Sequence, residues 1–323
     1  MPIITVNSIL QKVLFFAVCL LCVTPYFLPG LAVFNFMTPP MALLTGLIFA
    51  NVIGHPYPRK NGKATKILLQ VSVVGLGFGM NIESAMKAGM QGILFTVASI
   101  FGTLVLGYFL GKLLKIERNT SHLISSGTAI CGGSAIAAIS PIIGAGEKQI
   151  SVALGIVFIL NSIALFVFPV IGHNLGLTET QFGVWAAIAI HDTSSVVGAA
   201  SKYGPHALEI ATTVKLARAL WIIPLSLGTA AVFKNSTGKI KIPWFIGYFI
   251  IAMVLNTYIS SLSLFTPYIY KGARAGLTLT LFLIGSGLSF STLKTVGIRP
   301  LIQGVILWLV ISVAALWAVM HIL

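Results

Sequence analysis

The chain has 323 residues, of which 57% are apolar and only 8% charged, with a mean hydropathy of +1.00; a soluble chain carries about 25% charged residues. A water-soluble fold is excluded. The formal net charge of +14 does not point to nucleic acid, because the lysines and arginines stand singly in short polar breaks and not along one face.

Apolar stretches long enough to cross a hydrocarbon core of about 30 Å recur from one end to the other. Eleven spans are predicted, over 9–29, 38–55, 65–81, 89–115, 120–143, 149–173, 180–201, 208–232, 243–263, 271–290 and 298–322. Nothing is left over for a soluble domain, so 1–323 reads as a single membrane domain. Lipid offers the backbone no hydrogen-bond partners and period-two alternation is absent, so the spans must be helices and not barrel strands. In the first span Pro25 and Pro29 follow a long apolar run without a small-residue cleavage pattern, which argues against a signal peptide. Cys19 and Cys22 form a C-x-x-C there, but with no His or acid nearby they read as packing and no metal site is assigned. Together with Cys131 in a later span they make no disulfide framework.

Basic residues set the orientation. With the amino terminus inside, alternate breaks hold Lys12; Arg59, Lys60, Lys63, Lys66; Lys112, Lys115, Arg118; Lys234, Lys239, Lys241; and Lys294, Arg299, which makes 13. The opposite breaks hold Lys87, Lys148, Lys202, Lys271 and Arg274, which makes 5. This asymmetry predicts a cytoplasmic amino terminus and an external carboxyl terminus.

Two internal resemblances appear along the chain. Gly77-Phe78-Gly79-Met80-Asn81-Ile82 pairs with Gly285-Ser286-Gly287-Leu288-Ser289-Phe290, and Gly89 with Gly297, in spans of opposite direction. That is the mark of an inverted repeat, although glycine-rich turns also resemble one another by chance. The second pairs residues 130–140 with 190–201, Ser134 falling on Ser194 and Glu147 roughly on Glu209. Both carry a polar cluster in mid-span, which lipid tolerates only where it faces protein or a wet cavity, so both are predicted to be broken helices or re-entrant hairpins. In an eleven-span count the two run the same way, whereas an inverted repeat would oppose them.

The polar residues suggest a site. Among six acidic residues Asp192 alone lies within a span, where a carboxylate costs about 2.5–3.5 kcal/mol on insertion scales and needs a partner. Candidate partners are His191 and, one span later, Lys215 and Arg218, which share a helical face with Thr212. If that face meets Asp192, one positive charge is left for an anionic substrate; the competing reading is a structural ion pair or snorkelling of both side chains. Thr128, Cys131, Gly132, Gly133 and Ser134 form the other break, where freed backbone groups can face a ligand, unless the small residues only serve close packing. Thr193, Ser194 and Ser195 add hydroxyls that, with Asp192, could hold a coupling ion. Gly75, Gly77 and Gly79 imitate a nucleotide loop without the strand it requires. Asn161, in the sixth span, offers an inter-helix hydrogen bond.

The run Val74 to Ala85, the stretch 127–138 and the stretch 191–201 resemble the YeiH-type family of bacterial inner-membrane proteins, labelled sulfate exporters, over essentially the whole chain. That family is grouped with the bile-acid/arsenite/riboflavin transporter superfamily. The resemblance implies an NhaA-like all-α fold of crossing broken helices, a core and a more mobile panel, a site near 128–134 and 191–195, and residence in a bacterial inner membrane as a multi-pass protein. The expectation is therefore a secondary transporter that moves sulfate, a sulfonate or a related small anion, outward and coupled to H⁺ or Na⁺. It needs no further cofactor, and its partners are the anion and the lipid, with a homodimer as the one protein assembly considered. Two alternatives stand beside it: an intramembrane serine hydrolase using Ser134 and His191, and an anion channel.

Overall fold

A computed structural model describes residues 7–27, 37–233, 244–287 and 297–323. They form α1 (Ser8–Phe27), α2 (Pro39–Val52), α3 (Pro58–Gly77), α4 (Ile82–Leu113), α5 (Arg118–Ala129), α6 (Gly133–Ile139), α7 (Glu147–Asn174), α8 (Glu179–Ala189), α9 (Thr193–Tyr203), α10 (Pro205–Ala219), α11 (Ile222–Val232), α12 (Trp244–Tyr258), a 3₁₀ turn (Ser260–Leu264), α13 (Thr266–Gly287) and α14 (Ile298–Ile322). Among the described residues five segments are long and apolar enough to cross a membrane: Ser8–Phe27, Phe95–Leu113, Lys148–Asn174, Pro205–Val232 and Ile298–Ile322. Pro39–Val52 and Trp244–Tyr258 are apolar but shorter. The chain divides into two compact units.

The first unit comprises 1–85 and 244–291. Its apolar cluster gathers Phe15, Cys22, Met37, Ala42, Phe49, Phe282 and Leu283, so Cys22 packs among hydrocarbon. Two glycines of the first internal resemblance have the same role here. A Cβ on Gly77 would lie 2.7 Å from Phe249 O, and one on Gly285 would strike Leu43 O. Each lets helix backbones touch, as small residues do in membrane bundles. The paired residues 288–290 lie outside the described residues.

The second unit comprises 86–243 and 292–323, and in it two of the predicted spans are not through-going helices. An 11-residue helix is about 16 Å long, so α8 and α9 in line would cover about 33 Å. Instead Tyr203 Oη, at the end of α9, donates to Leu177 O at 2.6 Å, just before α8, and the Tyr203 and Phe182 rings stack at 3.7 Å. The chain returns to where it entered. The same holds for α5 and α6: Asn119 Nδ2 donates to Ile143 O at 3.4 Å, and Gln149 Nε2 donates to Glu117 Oε1. Both segments are re-entrant hairpins, not crossing broken helices.

The hairpins enter from opposite ends of the unit, because α7, 28 residues long, runs from the base of the first to the base of the second. His173, near its end, packs on Tyr203 at 4.3 Å. From there Pro205–Val232 runs back: Glu179 Oε2 accepts from His206 N at 2.7 Å and Ala207 N at 2.9 Å at one end, and His122 and Thr229 bond at 3.0 Å at the other. Two reversals replace two crossings, and the directional conflict in the second internal resemblance disappears. Helix starts recur at 118 and 179, and at 133 and 193, in opposed settings. Lys148 therefore does not share an end with Lys202. It lies with Lys112, Lys115 and Arg118, which corrects its place in the sequence-based distribution.

Candidate functional site

The two hairpin tips, Ile130–Gly132 and Ile190–Asp192, meet in the buried middle of the second unit. At the first, Ile130 leaves the helical region and Gly132 takes φ +65°, a conformation that L side chains rarely adopt; Gly132 N closes the turn on Gly127 O at 2.8 Å. A Cβ on Gly132 would lie 3.1 Å from His191 O and 3.0 Å from Val157 Cγ1, so the first tip touches the second through this glycine. At the second tip Ile190 and Asp192 are extended, and His191 N donates to Asn161 Oδ1 at 2.9 Å from the middle of α7. That bond fixes the amide, because only the oxygen can accept.

A helix end leaves carbonyls without partners, and hydrocarbon cannot supply any. Here α10 supplies them. Lys215 Nζ donates to Ile190 O at 2.7 Å and Ala187 O at 3.2 Å. Arg218 donates through Nε to Ala129 O at 2.8 Å and through Nη1 to Ile188 O at 3.0 Å. Both side chains are 0% exposed. The two cations thus sit at the negative, carboxyl-terminal ends of α5 and α8, and Arg218 ties the hairpins together.

Neither cation makes an ion pair with Asp192, and neither snorkels; the competing reading of this face as a structural ion pair or as snorkelling side chains is corrected. Asp192 instead caps α9, its Oδ2 accepting from Ser195 N at 3.2 Å, Ser195 Oγ at 3.3 Å and Ser194 Oγ. A carboxylate is among the best residues for that position. Thr193 and Thr128 are buried, and Thr128 Oγ1 has no protein partner. Cys131 is buried at the first tip. Gly133 opens α6, where a Cβ would make ordinary contacts with Leu154 at 3.4 Å and Phe158 at 3.5 Å. Ser134 lies exposed on α6 and does not join His191, whose two ring nitrogens are buried without a protein partner.

Several N–H donors remain unspent. Arg218 Nη2 and Asn161 Nδ2 are buried without acceptors, and an ammonium has three protons of which Lys215 places two. Asn161 is the residue to which sequence reasoning gave an inter-helix hydrogen bond but no place at the site. The available signal was a lone amide inside an apolar span, which membrane helices retain for hydrogen bonding to a neighbour.

The family profile described as Conserved hypothetical protein 698 matches residues 13–317. The chain belongs to this family. Its similar relatives include a UPF0324 membrane protein of Bacteroides thetaiotaomicron, 58% identical over 293 residues, which are 90% of this chain and 89% of the relative. Others are those of Porphyromonas gingivalis, 54% identical over 87% of both chains, and Photobacterium profundum, 48% identical over 94% of this chain and 90% of the relative. No solved structure matches. The match to the Conserved hypothetical protein 698 family includes both hairpins, and with the apolar helices it makes the chain a helical membrane protein.

Proposed function

We propose that this protein is a secondary active transporter of a small anion, of the sulfate or sulfonate class, in a bacterial inner membrane. The observation that carries the reading is the meeting of two re-entrant tips around two fully buried cations that have no carboxylate partner. Desolvating each cation costs several kcal/mol, and carbonyl dipoles alone are weak compensation, so a bound anion is the natural complement. Arg218 Nη2, Asn161 Nδ2 and the third Lys215 proton are the donors that would hold it. Hairpins that enter from opposite ends allow the site to open to either side in turn, in an inverted-repeat arrangement of the kind transporters use. The basic residues at the end bearing Lys112, Lys115, Arg118 and Lys148 favour that end as cytoplasmic. Outward transport and the sulfate class rest on the YeiH-type resemblance, whose crossing helices give way here to hairpins. The separation of Ser134 from His191 favours a carrier over a hydrolase.

The test is a thermal-stability screen of purified protein against sulfate, sulfite, thiosulfate, taurine and dicarboxylates, followed by exchange of any stabilising anion across proteoliposomes. A ligand that binds only the folded form raises apparent stability. At least one anion should stabilise the protein and exchange with saturation. No stabilisation by any of them, or flux that rises linearly without saturation, would contradict the carrier reading.

A further inference from the structure

In transporters built on broken helices, the carbonyls freed at half-helix carboxyl ends commonly coordinate the coupling Na⁺. In this chain those oxygens are already occupied. Ala187 O and Ile190 O accept from Lys215 Nζ, and Ala129 O and Ile188 O accept from Arg218. We propose that Lys215 and Arg218 stand permanently in the place of a sodium ion, so that this transporter is indifferent to Na⁺ and is coupled to protons through Asp192. The inference rests on the anion-carrier reading above.

Three observations lead to it. The ammonium and guanidinium bond the carbonyls at 2.7–3.2 Å, and a mobile cation entering there would have to displace a tethered one and bear repulsion from both. The hydroxyls of Ser194 and Ser195 are committed to the α9 cap, both donating to Asp192 Oδ2, and only their lone pairs would remain for a cation. Among the described residues Asp192 Oδ1 accepts no hydrogen bond, which leaves a lone pair open to a proton. The titratable groups that interact with Asp192 are Lys215 from α10 and Cys131 from the first tip, with His191 its neighbour in the chain; Arg218, one turn from Lys215 on α10, and the neutral Asn161 of α7, which holds His191 N, are the remaining charged or polar groups at the tips.

Charge balance then sets the coupling. With Lys215 and Arg218 both protonated, an ionised Asp192 leaves one positive charge, which a monoanion balances. A proton taken from water onto Oδ1 removes the negative charge and leaves two, which a dianion balances. Each dianion therefore crosses with one proton, released from the same oxygen on the other side.

The full chain, purified in detergent, is melted in sodium chloride and in choline chloride at equal ionic strength. Equal melting temperatures are expected, and a sodium-dependent rise would overturn the proposal. Lys215→Ala, which frees two carbonyls, should gain a sodium-dependent rise; a folded variant indifferent to sodium would also overturn it. If that variant does not fold, the wild-type comparison decides. In proteoliposomes a pH gradient should drive accumulation of the stabilising dianion, while a sodium gradient at clamped pH should not, and the reverse result would refute proton coupling. The melting comparison needs no substrate, so a failure of the carrier reading, seen as no response to any anion, stays distinct from a failure of this one.

Discussion

Gly132→Leu is expected to abolish transport and to lower folding stability, whereas Gly133→Ala should leave both nearly unchanged. The two glycines are neighbours in sequence and were indistinguishable there. In the fold Gly132 has φ +65° and its missing Cβ faces His191 O at 3.1 Å and Val157 at 3.0 Å. A side chain would bear a backbone strain of about 1–3 kcal/mol and an overpacking cost of about 1–3 kcal/mol, while pushing the hairpin tips apart. Gly133 sits in ordinary helical geometry, where alanine is the better helix former by about 1 kcal/mol. Melting curves and anion exchange of the two variants check this. Equal tolerance at both positions would mean that the tips need not touch.

Asp192→Asn should keep the protein folded and still abolish gradient-driven transport. Asparagine caps a helix about as well as aspartate, so the bond to Ser195 N survives. Because no direct ion pair is broken, the loss of stability should fall well short of the roughly 3–5 kcal/mol that breaking a buried pair costs. The variant mimics the protonated state, so exchange of a dianion across proteoliposomes should persist while the response to a pH gradient disappears. A drop in stability of the full ion-pair size would make Asp192 a structural counter-ion. Wild-type driven transport would remove it from the mechanism.

Much of this arrangement was legible in the chain, and the gaps have physical causes. Composition alone required membrane helices, and the clusters Gly132-Gly133-Ser134 and Asp192-Thr193-Ser194-Ser195 marked both breaks. That the chain reverses at them depends on contacts between distant residues, such as Tyr203 with Leu177 and Asn119 with Ile143, which no local pattern reveals. The shared face of Lys215 and Arg218 was readable from their spacing. Their partners were not, because they are backbone carbonyls, and a helix-end carbonyl is a free acceptor only where the helix stops. Lys148 was misplaced for the same reason: reading residues 120–143 as a crossing span sent it to the wrong side. The glycines Gly77 and Gly285 suggested a repeat of turns, and their common role is backbone contact between helices.

The opposed hairpins carry the whole account, and two exposed lysines test them directly. Single cysteines replacing Lys148 and Lys202, in a chain whose three native cysteines have been removed, are probed in intact cells with a membrane-impermeant thiol reagent. Straight spans over 120–143, 149–173 and 180–201 would place both positions on one side. The hairpins place them on opposite sides, with the Lys202 position labelled from outside and the Lys148 position labelled only after permeabilisation. Labelling of both from the same side would contradict the fold on which the site, the cation placement and the transport reading depend.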